Sequence, residues 1–106
     1  MLNPDSSEIF DPKARLELIE VIEYYRSLSP QLARSFKKAF DTAISEIKEF
    51  PEIAPPVLLT TYGARRKNLN KFPYYIAYIL EPDAIFIVAV AHNRRDPRYW
   101  LSTSHI

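Results

Sequence analysis

The sequence predicts an α+β fold, in which a short N-terminal strand precedes an antiparallel helical hairpin that packs on a small antiparallel sheet. Two observations indicate this class. Apolar residues recur at three- and four-residue spacing over two nearly contiguous stretches in the first half of the chain. Three strand-length runs follow in the second half, two of them rich in β-branched and aromatic residues. Because the chain has 106 residues, 47% apolar and 25% charged, we expect one domain over residues 1–106.

The first elements begin at clear signals. Residues 7–10 (SEIF) are a strand candidate, and Asp11-Pro12 then offers a capping carboxylate followed by proline at the first helical position, where no N–H donor is needed. Helix one is predicted over 12–28. Its apolar stripe consists of Leu18, Val21, Ile22, Tyr25 and Leu28. Its glutamates lie largely outside that stripe, and we expect them on a solvated face: Glu17, Glu20 and Glu23.

Ser29-Pro30 repeats the start signal, so helix two is predicted from there to Phe50, before Pro51. Its stripe consists of Leu32, Phe36, Phe40, Ala43, Ile47 and Phe50. Because the two patterns are almost contiguous, the helices must fold back on each other as a hairpin. Residues 51–63 contain three prolines and the only glycine, which indicates an ordered crossing segment leading to the sheet.

Strands are predicted over residues 64–70, 74–80 and 84–91, with a three-residue turn, Glu81-Pro82-Asp83, joining the last two. This turn sets Leu80 opposite Ala84 and brings His92 to the side of the sheet that holds Tyr74.

The predicted register also assigns the two faces of the sheet. We expect the face with several small alanines to lie under the helices, because small side chains permit a close approach. This face consists of Tyr75, Ala77, Ile79, Ile85, Ile87, Ala89 and Ala91.

The composition excludes several classes of protein. The chain has no cysteine, so it forms neither a disulfide nor a thiolate metal site. Its start, MLNPDSSEIF, has no signal-peptide pattern, and no apolar run approaches the ~20 residues that cross a bilayer. His105 is the only histidine besides His92, so we expect no metal and no cofactor. These features predict a cytoplasmic protein that does not contact a membrane.

The net charge of +1 conceals an uneven distribution. Residues 1–61 hold seven Lys/Arg and ten Asp/Glu, whereas residues 62–106 hold seven and three. A basic C-terminal block suits an anionic partner such as a nucleic acid or an acidic protein segment, and it also suits a solvated face without a partner. The charge pattern leaves both interpretations open.

Two groups of residues in this block are candidates for binding a target. The first lies on or just after the first strand of the C-terminal sheet: Arg65, Arg66, Lys67, Lys71 and, across from them, Tyr74. Alternation places Arg66 on the opposite face from Arg65 and Lys67, and an edge strand protected by charge would have the same pattern. The second group follows the last strand: His92, Arg94, Arg95 and Arg98.

The residues of the second group have several possible roles. The guanidinium groups can clamp phosphates or carboxylates, or pair with Asp96 in the turn. His92 has the chemistry of a general base, although a structural role is the commoner one. Trp100 is expected to close the end of the sheet by packing.

The chain resembles the RelE/ParE toxins of toxin–antitoxin modules, and specifically the ParE-like branch. The resemblance rests on FDPKARLELIEVIEYY in the first half and on RRKNLNKFPYYIAYIL and VAHNRRDPRYW in the second. Together these segments span residues 8–100. The resemblance implies an N-terminal strand, a helical hairpin and an antiparallel sheet. It also implies a toxin neutralised by a cognate antitoxin, whose segment mixes acidic and apolar residues and occupies an apolar groove beside the hairpin and the basic sheet.

The resemblance leaves two targets, DNA gyrase for ParE-type members and ribosome-bound mRNA for RelE-type endonucleases. Asn68, Tyr75 and Asn93 stand where the nuclease pattern has Lys, Arg and Arg, whereas Arg66, Arg95 and Tyr99 match it. Losing one preorganised stabiliser typically lowers a rate ~100-fold or more, so we expect a gyrase-directed toxin without firm catalytic residues.

Two alternatives accompany this expectation. One is a metal-independent mRNA endonuclease, acting with the ribosome and using Arg66, His92, Arg95 and Tyr99. The other is a module that is retained for binding alone.

Overall fold

The computed structural model describes residues 7–57 and 63–101. The strands are β1 (Ser7–Phe10), β2 (Arg65–Asn68), β3 (Tyr74–Glu81) and β4 (Ala84–His92), and the helices are α1 (Pro12–Leu28), α2 (Pro30–Glu49) and α3 (Arg98–Leu101). They form one sheet with strand order β1-β4-β3-β2. The predicted α+β class and helical hairpin are confirmed. β1 pairs with β4 in parallel, so an antiparallel meander carries one parallel edge strand.

The predicted helix starts are confirmed atom by atom. The Asp11 carboxylate accepts from the Lys13 N–H at 2.9 Å, and Pro12 occupies the first helical position. The Ser29 hydroxyl accepts from the Gln31 N–H at 3.1 Å, so this serine both ends α1 and caps α2. A single residue therefore forms the connection, which forces the two helices to fold back on each other.

The register across the β3–β4 hairpin differs from the predicted one. Glu81 pairs with Ala84, so the turn has two residues, not three, and every β3 side chain is on the opposite face from the one expected. A β-bulge then inserts Val88, because Tyr78 pairs with Ile87 and the next residue back, Ala77, pairs with Ala89.

These two irregularities decide which residues lie under the helices. The helix-facing core includes Tyr74, Ile76, Tyr78, Leu80, Ile85, Ile87 and Val90. The expectation was correct for Ile85 and Ile87. It was wrong for Tyr75, Ala77 and Ile79 because the turn has two residues, and it was wrong for Ala89 and Ala91 because the bulge reverses the alternation of β4 after Ile87. The alanine-rich set with Tyr75 packs on the other face, around Trp100.

The helical stripes bury their middles and expose their ends. Phe36 is fully buried in an aromatic group with Tyr25, Phe72 and Tyr74, at ring-centroid distances of 5.3–5.6 Å from Phe36. Leu28 is 58% exposed where α1 ends. Within residues 7–57 and 63–101, no helix is both long enough and apolar enough to cross a membrane.

The third helix was not predicted, although the sequence contains a signal for its start. Asp96-Pro97 repeats the Asp-Pro pair that starts α1, and the Asp96 carboxylate accepts from the Arg98 N–H at 2.9 Å. The crossing segment is described except for residues 58–62, and the predictions for those residues and for His105 lie outside the described part of the chain.

Candidate functional site

The basic residues of β2 divide between the two faces of the sheet, as alternation predicts. Arg65 and Lys67 lie on the helix side, where the Arg65 guanidinium donates to the Ala54 carbonyl at 2.6 Å and the Lys67 ammonium lies 3.5 Å from the Glu46 carboxylate. Lys67 therefore joins the edge of the sheet to α2, and Arg65 joins it to the segment that follows α2.

Arg66 lies on the opposite face of the sheet. There it contacts the three residues that differ from the nuclease pattern. Its guanidinium carbon stacks 3.9 Å from the centre of the Tyr75 ring. Its nitrogens donate to the Asn68 and Asn93 side-chain oxygens at 3.2 and 3.4 Å. Asn68, Tyr75 and Asn93 therefore all contact the Arg66 side chain.

A second cluster forms around the carboxylate of Glu17, which projects from α1 to the end of β4. One carboxylate oxygen accepts from the Val90 N–H at 3.0 Å, and the other lies 3.3 Å from the Arg95 guanidinium and accepts from the Tyr99 hydroxyl. The Arg95 guanidinium carbon also stacks 3.5 Å from the centre of the Tyr99 ring. Three groups from two segments therefore converge on one carboxylate.

Because β1 is short, the backbone of β4 needs the hydrogen-bond acceptor that Glu17 supplies. β1 pairs with β4 only as far as Phe10 and Ile87, so the β4 edge beyond that point has no neighbouring strand. The Val90 N–H lies on this open edge and is satisfied by the Glu17 side chain.

The solvated face expected for Glu17 is therefore wrong for this residue, whose side chain is only 13% exposed. Only the fold reveals that one of three similar glutamates faces an open strand edge.

The pKa of the Tyr99 hydroxyl is raised, first by burial and then by its hydrogen bond to the Glu17 carboxylate and the charge of that carboxylate. A tyrosine in this state holds its proton firmly. It also fixes α3 to α1 across 82 positions of sequence.

His92 lies on the helix side of the sheet, with its ring edge-on to Tyr74 at a centroid distance of 5.0 Å. Its Nδ1 accepts from the Arg94 N–H at 3.0 Å, which closes the turn after β4. As predicted, His92 lies on the face that holds Tyr74, but it is His92 and not Val90 that pairs with Tyr74. In the described part of the chain, no group of His, Asp or Glu side chains has the arrangement of a metal site.

The remaining candidates lie on exposed turns. Arg98 binds Asp96 through two nitrogens at 2.5 and 2.8 Å, and the hydrogen bonds from Arg98 lower the pKa of the Asp96 carboxyl. Arg94 is exposed, as is Lys71, whose φ of 68° places it in the left-handed region at the turn between β2 and β3. Pairing with Asp96, one of the two roles that the sequence left open for these arginines, is present at Arg98.

Trp100 has the packing role expected from the sequence. It is 2% exposed in the cluster on the far face of the sheet, and its indole N–H donates to the Tyr75 hydroxyl at 2.7 Å. Trp100 therefore closes that face of the sheet. Tyr99, the preceding residue of α3, reaches Glu17 on α1 instead.

The four residues of the nuclease alternative lie in three different settings. Arg66 lies with Tyr75, His92 with Tyr74, and Arg95 with Tyr99 at Glu17. His92 and Arg95 do share the lining of a surface hollow of about 240 Å³, which Glu17 and Glu20 also line. Two carboxylates in the same hollow make it unfavourable for an anionic substrate.

An apolar groove of about 840 Å³ runs between the two long helices beside β1. Its apolar lining consists of Phe10, Leu18, Ile19, Ile22, Phe40 and Ile44. Its charged rim has three residues of each sign: Arg15, Lys37, Lys48, Glu8, Asp41 and Glu49. Ion pairs at 2.6 and 2.7 Å join Lys37 to Asp41 and Lys48 to Glu8, so the rim has little net charge.

The helical hairpin, the strand order and the arginines at one end of the sheet define a small α+β toxin of the RelE/ParE class. The family described as the ParE toxin of the type II toxin–antitoxin system, parDE, matches residues 9–97. The chain belongs to this family, and it is a ParE-like toxin of a type II toxin–antitoxin system.

Known proteins support the assignment at two levels. The chain is 33% identical over 82 residues to Toxin ParE2 of two Mycobacterium tuberculosis strains, CDC 1551 / Oshkosh and ATCC 25618 / H37Rv, covering 76% of this chain and 75% of each relative. A solved structure described as the chromosomal ParDE TA system from P. aeruginosa superposes with a TM-score of 0.66 over 82% of this chain and 94% of that one. Its sequence identity is 16%, so this second likeness supports the fold alone.

Proposed function

We propose that this toxin acts by binding DNA gyrase and not by cutting RNA, and that a cognate antitoxin holds it inactive. One observation carries the choice of target. Arg95 and Tyr99, the candidate nuclease groups at the end of the sheet, are both bound to Glu17, while Arg66 is held by its own neighbours.

The chemistry of RNA cleavage supports this choice. A nuclease of this size needs a base, an acid and a cation within hydrogen-bond reach of one phosphate. Here a carboxylate stands beside the arginine and would repel the substrate phosphate. The raised pKa of Tyr99 makes it a poor proton donor near neutral pH. Binding to a protein target requires none of these groups to react.

We assign the target-binding surface to the exposed and partly exposed cations around the β2–β3 turn and the end of β4. Arg66, Lys71 and Arg94 lie there, and Arg98 presents a guanidinium whose side chain is 86% exposed beside Asp96. Cations on one exposed edge give a docking surface for an acidic face of a partner and speed the encounter through charge.

The test measures two activities with the same protein preparation. The toxin is added to gyrase in a DNA supercoiling assay and to ribosomes that carry a defined message. The proposal expects loss of supercoiling with intact mRNA. Arg94→Ala is expected to weaken inhibition about tenfold, as removing one close charge across an interface does. Arg34→Ala is the matched control, because Arg34 is an exposed arginine of α2 and not of the strand ends that form this surface.

Other outcomes would reject the proposal. Cleaved message with unaffected supercoiling would establish the nuclease alternative, which Arg95→Ala should then abolish. If neither activity is found and induced expression leaves growth unchanged, the chain is a binding module alone.

The antitoxin is assigned to the apolar groove between α1 and α2. The solved neighbour is described as a ParDE TA system, and this groove is a concave apolar surface of the size that accepts an amphipathic segment. Because the charges at its rim balance, we expect the bound segment to be mainly apolar, with acidic residues paired to Arg15 at the edge. This refines the mixed acidic and apolar segment expected from the sequence.

A separate experiment tests the groove. Ile19 is 47% exposed in its wall, so Ile19→Glu should leave the fold intact and weaken the antitoxin complex by about 1.5–3 kcal/mol, the contribution of one buried aliphatic side chain. Leu28→Glu, at a site 58% exposed outside the groove, is the control. Equal antitoxin affinity for both variants in a pull-down titration would place the antitoxin elsewhere and leave the choice of gyrase untouched.

A further inference from the structure

The Glu17 carboxylate is bound in the way that proteins bind a free anion. A backbone N–H from Val90, the Arg95 guanidinium and the Tyr99 hydroxyl approach its two oxygens. Backbone N–H groups, arginine and hydroxyl donors are also the groups that hold phosphate oxygens. Two of the donors have further contacts besides Glu17, since Val90 pairs with Ile76 in the sheet and the Arg95 guanidinium stacks on the Tyr99 ring.

The cluster opens to solvent on one side. Val90, Arg95 and Glu17 line the surface hollow of about 240 Å³, and the Arg95 side chain is 55% exposed. This volume is below the ≈ 300–1,000 Å³ of drug-sized pockets, so it suits a small anion.

We propose that Val90, Arg95 and Tyr99 form a phosphate site that Glu17 fills as an internal ligand. The site is closed while the carboxylate is in place. It accepts a phosphate group when that carboxylate is removed or drawn away. The proposal does not depend on gyrase being the target, because it concerns only the donors and the side chain that occupies them.

Glu17 then has a second effect besides accepting the hydrogen bond from the open edge of β4. It blocks the arginine–tyrosine pair of this toxin from meeting the phosphate groups of nucleic acids. The missing basic residues at positions 68, 75 and 93 weaken any nuclease chemistry, and the internal carboxylate closes the pair that remains.

The experiment titrates the purified chain with inorganic phosphate at constant ionic strength and follows the backbone amide signal of Val90 and the ring signals of Tyr99 by NMR. Wild type is expected to show no saturable change. Glu17→Ala is expected to bind phosphate at least about tenfold more tightly than wild type, because the carboxylate that occupies the three donors no longer competes with the ligand. Glu20→Ala is the matched control, since Glu20 lines the same hollow one turn along α1 but is not bound by the three donors.

Two further variants complete the test. Glu17→Ala combined with Arg95→Ala should lose the phosphate binding that Glu17→Ala gains. Glu17→Gln keeps the shape of the side chain and removes its charge, so it decides the question if Glu17→Ala does not fold. Its phosphate affinity should also exceed that of wild type.

Several results would overturn the proposal. A folded Glu17→Ala chain without phosphate binding would do so, as would equal gains in Glu17→Ala and Glu20→Ala, which would indicate only a general change in charge. If neither Glu17 variant folds, the carboxylate is a structural clamp and no phosphate site exists behind it.

Discussion

Replacing Arg65 and Arg66 by alanine, one at a time, should separate a residue that stabilises the fold from one that we propose to bind the target. The Arg65 guanidinium donates at 2.6 Å to the Ala54 carbonyl in a partly buried setting. Hydrogen bonds from charged donors contribute about 1.5–3 kcal/mol, so Arg65→Ala should lower the free energy of unfolding by about that amount.

Arg66 contributes much less to stability. Its guanidinium is partly exposed above the buried Tyr75 ring, and a cation–π contact at an exposed site contributes about 0.5–1 kcal/mol. Its hydrogen bonds to Asn68 and Asn93 are exposed and longer than that of Arg65. Arg66→Ala should therefore cost at most about 1 kcal/mol.

Thermal and urea denaturation measure the difference. For a small domain, 1 kcal/mol corresponds to roughly 4–8 °C in Tm, so Arg65→Ala should melt about 10 °C below wild type and Arg66→Ala a few degrees below it. In the supercoiling assay the order should reverse when inhibition is expressed per folded molecule. Arg66→Ala should lose potency, and Arg65→Ala should keep it.

Two results would contradict this division of roles between Arg65 and Arg66. One is that the two variants are equally stable, and the other is that Arg65→Ala loses as much potency as Arg66→Ala while still folded. Either result would mean that alternation along β2 does not divide the roles. Arg66→Lys serves as a check, because it keeps the charge and removes the planar stack on Tyr75.

Three other substitutions test the fold and its pH dependence. Tyr75→Phe removes the acceptor of the buried Trp100 indole N–H and should cost about 1–3 kcal/mol in urea denaturation. Lys71 has a φ of 68°, so Lys71→Val should destabilise by about 1–2 kcal/mol and Lys71→Gly should not, as Tm values would show. The folded protein holds the Tyr99 proton more tightly than the unfolded chain does, because the pKa of Tyr99 is raised from its usual 10.0. Its contribution is complete below about pH 10 and is lost as the pH rises further, so stability measured between pH 8 and pH 11 should decline less steeply in Tyr99→Phe than in wild type.

The partly buried Glu17 carboxylate affects both the stability of the fold and the charge of its surface. One carboxylate closes the open edge of β4, fixes α3 through Tyr99 and neutralises Arg95. A substitution there changes stability and surface charge together. Its effect on toxicity can be interpreted only beside the control at Glu20 and a direct measurement of folding.

The class of fold and the starts of the two long helices could be predicted from the amino-acid sequence, because they depend on local interactions. An Asp-Pro or Ser-Pro pair fixes where a helix starts whatever lies elsewhere in the chain. Alternation along β2 is local in the same sense, and it correctly separated Arg66 from Arg65 and Lys67. The family resemblance was also contained in the sequence.

The tertiary structure was needed to establish which face of the sheet the helices cover. A two-residue turn and the bulge at Val88 each shift the register by one, and a single shift exchanges the faces. It also decided the role of Glu17, which looked like its neighbours Glu20 and Glu23 on α1. The difference depends on where β1 ends beside β4, and that contact joins residues far apart in the chain, which no local pattern records.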